Sequence, residues 1–503
     1  MTSHLNRQAI WRCIIAGLFA LILAAVLSPS KTPASEPFRD AASIRRARET
    51  TVKTAAKLID SMKSNRPQNS NRVHLSDVEV DVIRHRIRSS DVLDDLRKLS
   101  KTWQQKSDVN TIPTPGWPWP WPAPVDPDVY LNMSGLIWSK GYPVEEYTVQ
   151  TEDGYLLGLF RIPHGRQNNS KNTGSKPVVF LQHGLLAAST NWVENSASES
   201  LGFILADAGY DVWMGNMRGN TYSRRHARLD PNKRRYWQFS WDQMAKYDIP
   251  AMLNFALKMS GQSTLDYVGH SQGTLVAFTG FTLDLNLAKK VKHLFALGPV
   301  YTVRDIHLEF ILKDIITSKL VMWLADILSI VGIDEFLPNS YNQFGARTLC
   351  AWPETRLICE AVMMFLGGHS GHHLNASRLQ VYVSNEPAGT SLQNMEHFIQ
   401  MVITGKCQMY DYGMIGNFFH YHHRKPPKYH VENLNVPVAL FWGDNDSLAN
   451  PQDVGRLIPQ IPHLIYNKEI KNFEHLDFIW AMDANKIVYN DILLIMNGTI
   501  PTH

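Results

Sequence analysis

Between an apolar strand-like run, Leu265-Asp-Tyr-Val268, and an apolar helical run from Thr274 to Phe281 stands the pentapeptide Gly269-His-Ser271-Gln-Gly273. A chain that passes from strand to helix in so few residues has to turn sharply. Glycine at both flanking positions removes the Cβ atoms that would stop neighbouring backbone from closing on the turn. The serine is then exposed at the end of a strand, where a substrate can reach it. A similar string, Gly368-His-Ser370-Gly371, lacks the second glycine at the right spacing and has no strand before it.

The surrounding pattern agrees with a strand-turn-helix unit inside an α/β fold. Glu146 to Gln150 and Leu156 to Arg161 flank the turn Glu152-Asp-Gly154 and read as a hairpin. Pro177 to Gln182, Leu265 to Val268 and Val436 to Trp442 read as buried strands separated by helical stretches. Such alternation implies an α/β fold with a mostly parallel sheet. From Thr302 to about Ser370 the alternation stops and the chain is mostly apolar and helical, which reads as an insertion over the sheet.

A serine hydroxyl is a poor nucleophile until a base takes its proton. The base is expected late in the chain, oriented by a carboxylate that follows another strand. Val436 to Trp442 runs into Gly443-Asp-Asn-Asp446, which offers Asp444 and Asp446. After Leu464 to Ile470 comes Lys471-Asn-Phe-Glu-His475. The chain order serine, aspartate, histidine is that of the α/β-hydrolases. An early strand ends in Gln182-His183-Gly184-Leu185, so the backbone N–H groups of Leu185 and of Gln272 are candidates for an oxyanion hole. Glu474, beside His475, would raise the imidazole pKa if it faced the ring.

The N-terminal quarter has another texture. Arg7 and Arg12 precede an apolar run from Ile14 to Leu27, followed by Ser28-Pro-Ser30. As a helix this run would rise roughly 21 Å, short of the roughly 30 Å hydrocarbon core. Residues 1–34 therefore read as a signal peptide, with an uncleaved signal anchor as the alternative. Residues 35–112 are charged, with apolar positions at helical spacing, and read as a helical or disordered extension. Residues 113–125 alternate proline with Trp117, Trp119 and Trp121, which reads as a stiff, extended linker. Net charge over 503 residues is only +4, so no electrostatic case for nucleic acid arises.

Entry into the secretory pathway makes the sequons at Asn132, Asn168, Asn375 and Asn497 candidate glycosylation sites. Asn445 is set aside because it adjoins Asp446. With Cys13 in the signal, three of the four cysteines remain, an odd number for an oxidising compartment.

The segments FLQHGLLAASTNW, ADAGYDVWMGNMRGN, WDQMAKYDIPA, YVGHSQGT, NEPAGTSLQNMEH and EHLDFIWAMDA resemble the acid lipase family, which includes gastric and lysosomal acid lipases. The likeness runs from about Asp126 to Asn497. It implies an α/β-hydrolase core over residues 126–503 with a cap and lid at about 302–390. It also implies Ser271 as nucleophile, Asp446 rather than Asp444 as the acid, His475 as base, and Leu185 and Gln272 as oxyanion donors. The Cys350–Cys359 spacing matches the family's disulfide, leaving Cys407 as the free thiol.

The substrates implied are triacylglycerols and cholesteryl esters, met at a lipid–water interface. No cofactor and no metal is expected, and peripheral contact with a membrane or lipid droplet goes with such substrates. Residues 35–125, Cys407 and Asn450 depart from the family pattern. Two other readings use the same residues: an esterase for a more soluble or sterol ester, and a non-catalytic lipid carrier, which would be expected to have lost a triad residue. The histidine-rich patches His420, His422, His423, His430 and His369, His372, His373 lack metal-ligand spacing and read as solvated surface. An extracellular location is preferred to the lysosomal lumen, because no feature specifies lysosomal sorting.

Overall fold

The computed structural model describes residues 125–166, 175–306, 334–339, 350 and 373–500. The signal segment, the extension and the linker up to residue 124 lie outside these residues. So do most of the 302–390 insertion, Asn168, Cys359, His369 and His372.

Glu145–Gln150 (β1) and Tyr155–Ile162 (β2) form the antiparallel hairpin, turning through Gly154 at φ +100°. Six further strands follow: Val178–Gln182 (β3), Asp211–Gly215 (β4), Leu265–His270 (β5), Val291–Leu297 (β6), Val438–Gly443 (β7) and Leu464–Ile470 (β8). Their order across the sheet is β1-β2-β4-β3-β5-β6-β7-β8, and Arg225–His226 adds a short pairing to β2. β2 meets β4 antiparallel; from β4 onward every pairing is parallel.

The helices that matter for the site are Met133–Ser139 (α1), Leu201–Asp207 (α2), Ile249–Ser260 (α3), Gln272–Leu283 (α4), Leu379–Asn385 (α5), Leu392–Thr404 (α6), Gly413–Tyr421 (α7), Pro451–Leu457 (α8) and Asn490–Met496 (α9). Every residue of β3, β4 and β5 is buried, as strands covered on both faces should be. Successive side chains serve opposite cores, following the pleat. Val178 and Phe180 join one core with α3 and α4, through Leu253 and Leu275. Val179 and Leu181 join the other with α1, α2 and α9, through Leu136, Phe203 and Ile492.

The chain leaves β3 towards β4 on one side and returns through β5 on the other. That reversal opens a crevice beyond the carboxyl ends of β3 and β5, the place where open parallel sheets bind ligands. The loops carrying His183 to Leu185 and Ser271 begin there. Strand β4 was visible in the sequence only as part of a family-like segment, and β6 was not singled out; the structure adds both.

Candidate active site

Ser271 sits between β5 and α4 with φ +54° and ψ −119°, a left-handed conformation that costs a non-glycine residue energy and persists only where its surroundings enforce it. They do. Its amide donates to the Leu297 carbonyl at 3.1 Å, and its carbonyl accepts from Thr274 Oγ1 at 2.7 Å. A Cβ on Gly269 would lie 2.7 Å from the Gly273 carbonyl oxygen, and one on Gly273 only 2.4 Å from that of Gln182. The two glycines thus permit the close approach expected from the pentapeptide.

His475 follows β8, and Asp446 lies in the loop after β7. Their side chains meet with His475 Nδ1 2.8 Å from Asp446 Oδ2, and both are almost wholly buried. The other carboxylate oxygen of Asp446 accepts the amides of Leu448 and Ala449 at 2.9 and 2.7 Å, so the acid is fixed before it holds the ring. His475 Nε2 is buried and has no hydrogen-bond partner among the described residues, which leaves it available to a reacting group.

Asp444 points elsewhere. It accepts the Asn472 amide at 2.6 Å and faces Lys471. The carboxylate at the His475 ring is therefore that of Asp446, while Glu474 accompanies it as a buried residue whose amide donates to Asp477.

Glycines bring these loops together. A Cβ on Gly443 would fall 2.0 Å from the Phe473 carbonyl oxygen, so the exits of β7 and β8 close on each other only because that side chain is absent. Gly298, at φ +52°, lies against the pair itself: a Cβ there would stand 3.1 Å from His475 Nδ1 and 3.3 Å from Asp446 Oδ2. Neither position carries a local signal of its role in the sequence.

Leu185 follows the carboxyl end of β3 and Gln272 the turn at Ser271, and no hydrogen bond from either amide occurs among the described residues. Gln272 is the first residue of α4, where the helix leaves its amides open and positive. Its side chain is held by Asn394 of α6, Nδ2 to Oε1 at 2.8 Å.

His183 orders the other side. Its Nε2 accepts the Met217 amide at 3.0 Å, so the proton sits on Nδ1, which donates to the Gly184 carbonyl at 2.8 Å. That carbonyl belongs to the same planar peptide as the Leu185 N–H, and fixing one end orients the other. Burial pushes the His183 pKa down to about 4, which keeps the ring neutral and this tautomer in place. His270 acts similarly on the opposite side. Its Nε2 donates to the His475 carbonyl at 2.8 Å, and burial followed by the neighbouring His475 holds its pKa well below the usual imidazole value.

Two carboxylates beneath the loop after Leu185 escaped the sequence reading. Glu386 Oε1 accepts from Asn191 Nδ2 at 2.6 Å and from the Ala188 amide at 3.3 Å. Glu194 Oε2 accepts from Trp480 Nε1 at 2.8 Å. Both are buried away from water, which pushes Glu194 up to about 7 and Glu386 well above the ordinary range, the latter raised further by Glu194.

Among the other residues singled out, Cys350 is in a disulfide and Cys407 is a free, buried thiol. Asn132 and Asn497 are exposed. Asn375 is half-buried, with its Nδ2 donating to Glu199, and Asn445 is exposed. His420 stacks on Tyr412, His430 pairs with Glu432, and His373 pairs with Asp483. Among the described residues no cluster of three His, Cys, Asp or Glu is arranged to hold a metal ion.

With this geometry in hand, comparison with known proteins is decisive. The model of the partial α/β-hydrolase lipase region matches residues 133–196, and that of the α/β hydrolase fold matches residues 177–481. The chain is 49% identical over 373 residues to human gastric triacylglycerol lipase, covering 74% of this chain and 92% of that one. The chain belongs to the acid lipase family. Human lysosomal acid lipase/cholesteryl ester hydrolase is 47% identical over 378 residues, again covering 74% of this chain and 92% of the relative. This acid lipase also aligns with the solved structure of DcsB in complex with its substrate analogue, over 71% of this chain and all of that one, at 12% identity and TM-score 0.45.

Proposed function

We propose that this acid lipase hydrolyses water-insoluble carboxylic esters, triacylglycerol or cholesteryl ester, through an acyl-enzyme on Ser271. The observation that carries the reading is the buried Asp446–His475 pair, whose Nε2 has no partner among the described residues, while Ser271 is held at positive φ by Leu297, whose neighbour Gly298 lies against that pair. Ser271 Oγ attacks the ester carbonyl while His475 Nε2 takes its proton. Asp446 holds the Nδ1–H and stabilises the imidazolium that forms. The oxyanion of the tetrahedral intermediate is received by the amides of Leu185 and Gln272. His475 then protonates the leaving alcohol, and water repeats the sequence on the acyl-enzyme.

Residues 126–503 form the catalytic domain in this reading. The segment 302–390 is its cap and lid, Cys350 pairs with Cys359, and Asn132, Asn168, Asn375 and Asn497 are the glycosylation sites. A secreted or lysosomal lumenal location fits the names of the relatives, and the extracellular one is preferred.

The test is hydrolysis of emulsified trioleoylglycerol and cholesteryl oleate from pH 4 to 8 beside Ser271→Ala. The expected result is activity in the wild type that the variant lacks, with the favoured ester naming the specificity. A wild type no better than Ser271→Ala, on these and on short soluble esters, would overturn the reading.

A further inference from the structure

Helix α7 is built inside out. Only Asn417 among its residues is buried, while Met414 is 61%, Ile415 70%, Phe418 56% and Phe419 76% exposed. Those four stand at i, i+1, i+4 and i+5, so they form a single stripe along one side of the helix. A helix of a water-soluble protein turns such a stripe inward; this one turns inward the polar Asn417.

The orientation is held by specific bonds. Asn417 Oδ1 accepts the Tyr412 amide at 2.9 Å, and its Nδ2 donates to Asp411 Oδ1 at 2.7 Å and to the Arg424 carbonyl at 3.2 Å. Asp411 also caps the Gly413 amide at 2.9 Å. Tyr412 stacks on His420 with ring centroids 3.8 Å apart, and Tyr421 donates to the Tyr410 carbonyl at 2.9 Å. The apolar stripe is thus presented on a fixed platform.

Charge at the same place selects the partner. Arg424, Lys425 and Lys428 follow the helix directly, and all three are exposed. No acidic residue occurs between Asp411 and Glu432; the first is engaged by Asn417 and Gly413, and the second pairs with His430 at 2.7 Å. A protruding stripe of large apolar side chains beside cations that have no ion pair among the described residues is the pattern of a helix that lies in a lipid interface.

We propose that α7 docks this protein on a lipid surface carrying anionic headgroups, with Met414, Ile415, Phe418 and Phe419 entering the headgroup layer and Arg424, Lys425 and Lys428 meeting its charge. The proposal deepens the lipase reading by naming the surface on which the enzyme would meet its substrate. The helix lies outside the triad, so docking and chemistry can be measured apart.

The experiment is flotation of the full-length mature chain with vesicles of phosphatidylcholine alone and of phosphatidylcholine with 30% phosphatidylserine, the composition chosen as about a third anionic. Wild type is compared with Phe418→Ser/Phe419→Ser and with Arg424→Gln/Lys425→Gln/Lys428→Gln, and turnover of a short soluble ester is recorded for each. The expected wild type floats with the anionic vesicles and much less with neutral ones. Loss of two large apolar side chains should weaken partitioning roughly a hundredfold, and loss of the three cations should abolish the preference for anionic vesicles and its salt sensitivity. Soluble-ester turnover should not change.

Wild-type partitioning by Phe418→Ser/Phe419→Ser would overturn the proposal. So would a fall in oligomeric state on sedimentation without change in vesicle binding, which would make α7 a contact between copies of this chain. If wild type hydrolyses no ester yet floats through α7, docking stands and the lipase reading falls.

Discussion

Replacing Glu194 by glutamine should make the protein more stable at neutral pH while changing little at acid pH. Glu194 is fully enclosed. Its pKa is pushed from 4.5 to about 7, chiefly by burial, against the opposing pull of the polar groups of Thr190, Trp480 and Asn191 and the charge of Arg378. Below about pH 4.5 the group is protonated in both folded and unfolded chains and contributes no pH dependence. Between 4.5 and 7 the unfolded chain releases its proton and the folded chain keeps it, so stability falls as pH rises. At about 1.4 kcal/mol per unit, that fall is about 3 kcal/mol.

The wild-type curve alone would not reveal it. His183 is held at about 4, and a buried neutral imidazole loses stability in the opposite direction, as pH falls from 6.5 towards 4. The difference between Glu194→Gln and wild type removes that background, since His183 is common to both. Urea unfolding at pH 4.5 and 7.5 should therefore show the variant gaining about 3 kcal/mol relative to wild type between the two conditions. A flat difference would refute the argument, because it would mean the carboxyl ionises in the folded protein as readily as in the unfolded one.

Asp446→Asn should lower kcat about 10³- to 10⁴-fold with little loss of thermal stability. The side-chain oxygen that accepts Leu448 and Ala449 remains, while an amide replaces the oxygen that holds the imidazole tautomer. Asp444→Asn, in the same loop but facing Lys471, should leave kcat within about twofold. Gly298→Ala should reduce kcat at least about tenfold on a soluble ester with KM little changed: its backbone is at φ +52° and its Cβ would press on His475 Nδ1 at 3.1 Å. Cys407 should be silent to a thiol reagent in the native mature protein, because burial raises its pKa and blocks access. Denaturation without reductant should reveal one thiol per chain if Cys350 is bonded to Cys359 and Cys13 leaves with the signal.

The parts of this site that sequence discloses are those where one short segment has to satisfy a backbone demand by itself. Gly269 and Gly273 announce the turn because no other residue permits the 2.7 and 2.4 Å approaches found there, and Leu464–Ile470 is delimited as a strand by its own pattern. What sequence conceals depends on pairs of segments. Gly298 is an unremarkable glycine until β6 is laid beside β7 and its Cα faces the Asp446–His475 pair. Glu194 and Glu386 are two ordinary glutamates 192 positions apart until the loop after Leu185 folds over both. Helix α7 marks a different limit. Its apolar positions are written plainly, yet periodicity names a stripe without saying which way it faces. Here the direction is set by Asn417, whose three hydrogen bonds would be lost if Phe418 and Phe419 were turned inward. Those three bonds join the helix to its own flanks at Asp411, Tyr412 and Arg424, so the orientation is fixed locally, and the apolar surface it leaves exposed still gains by burial against a partner.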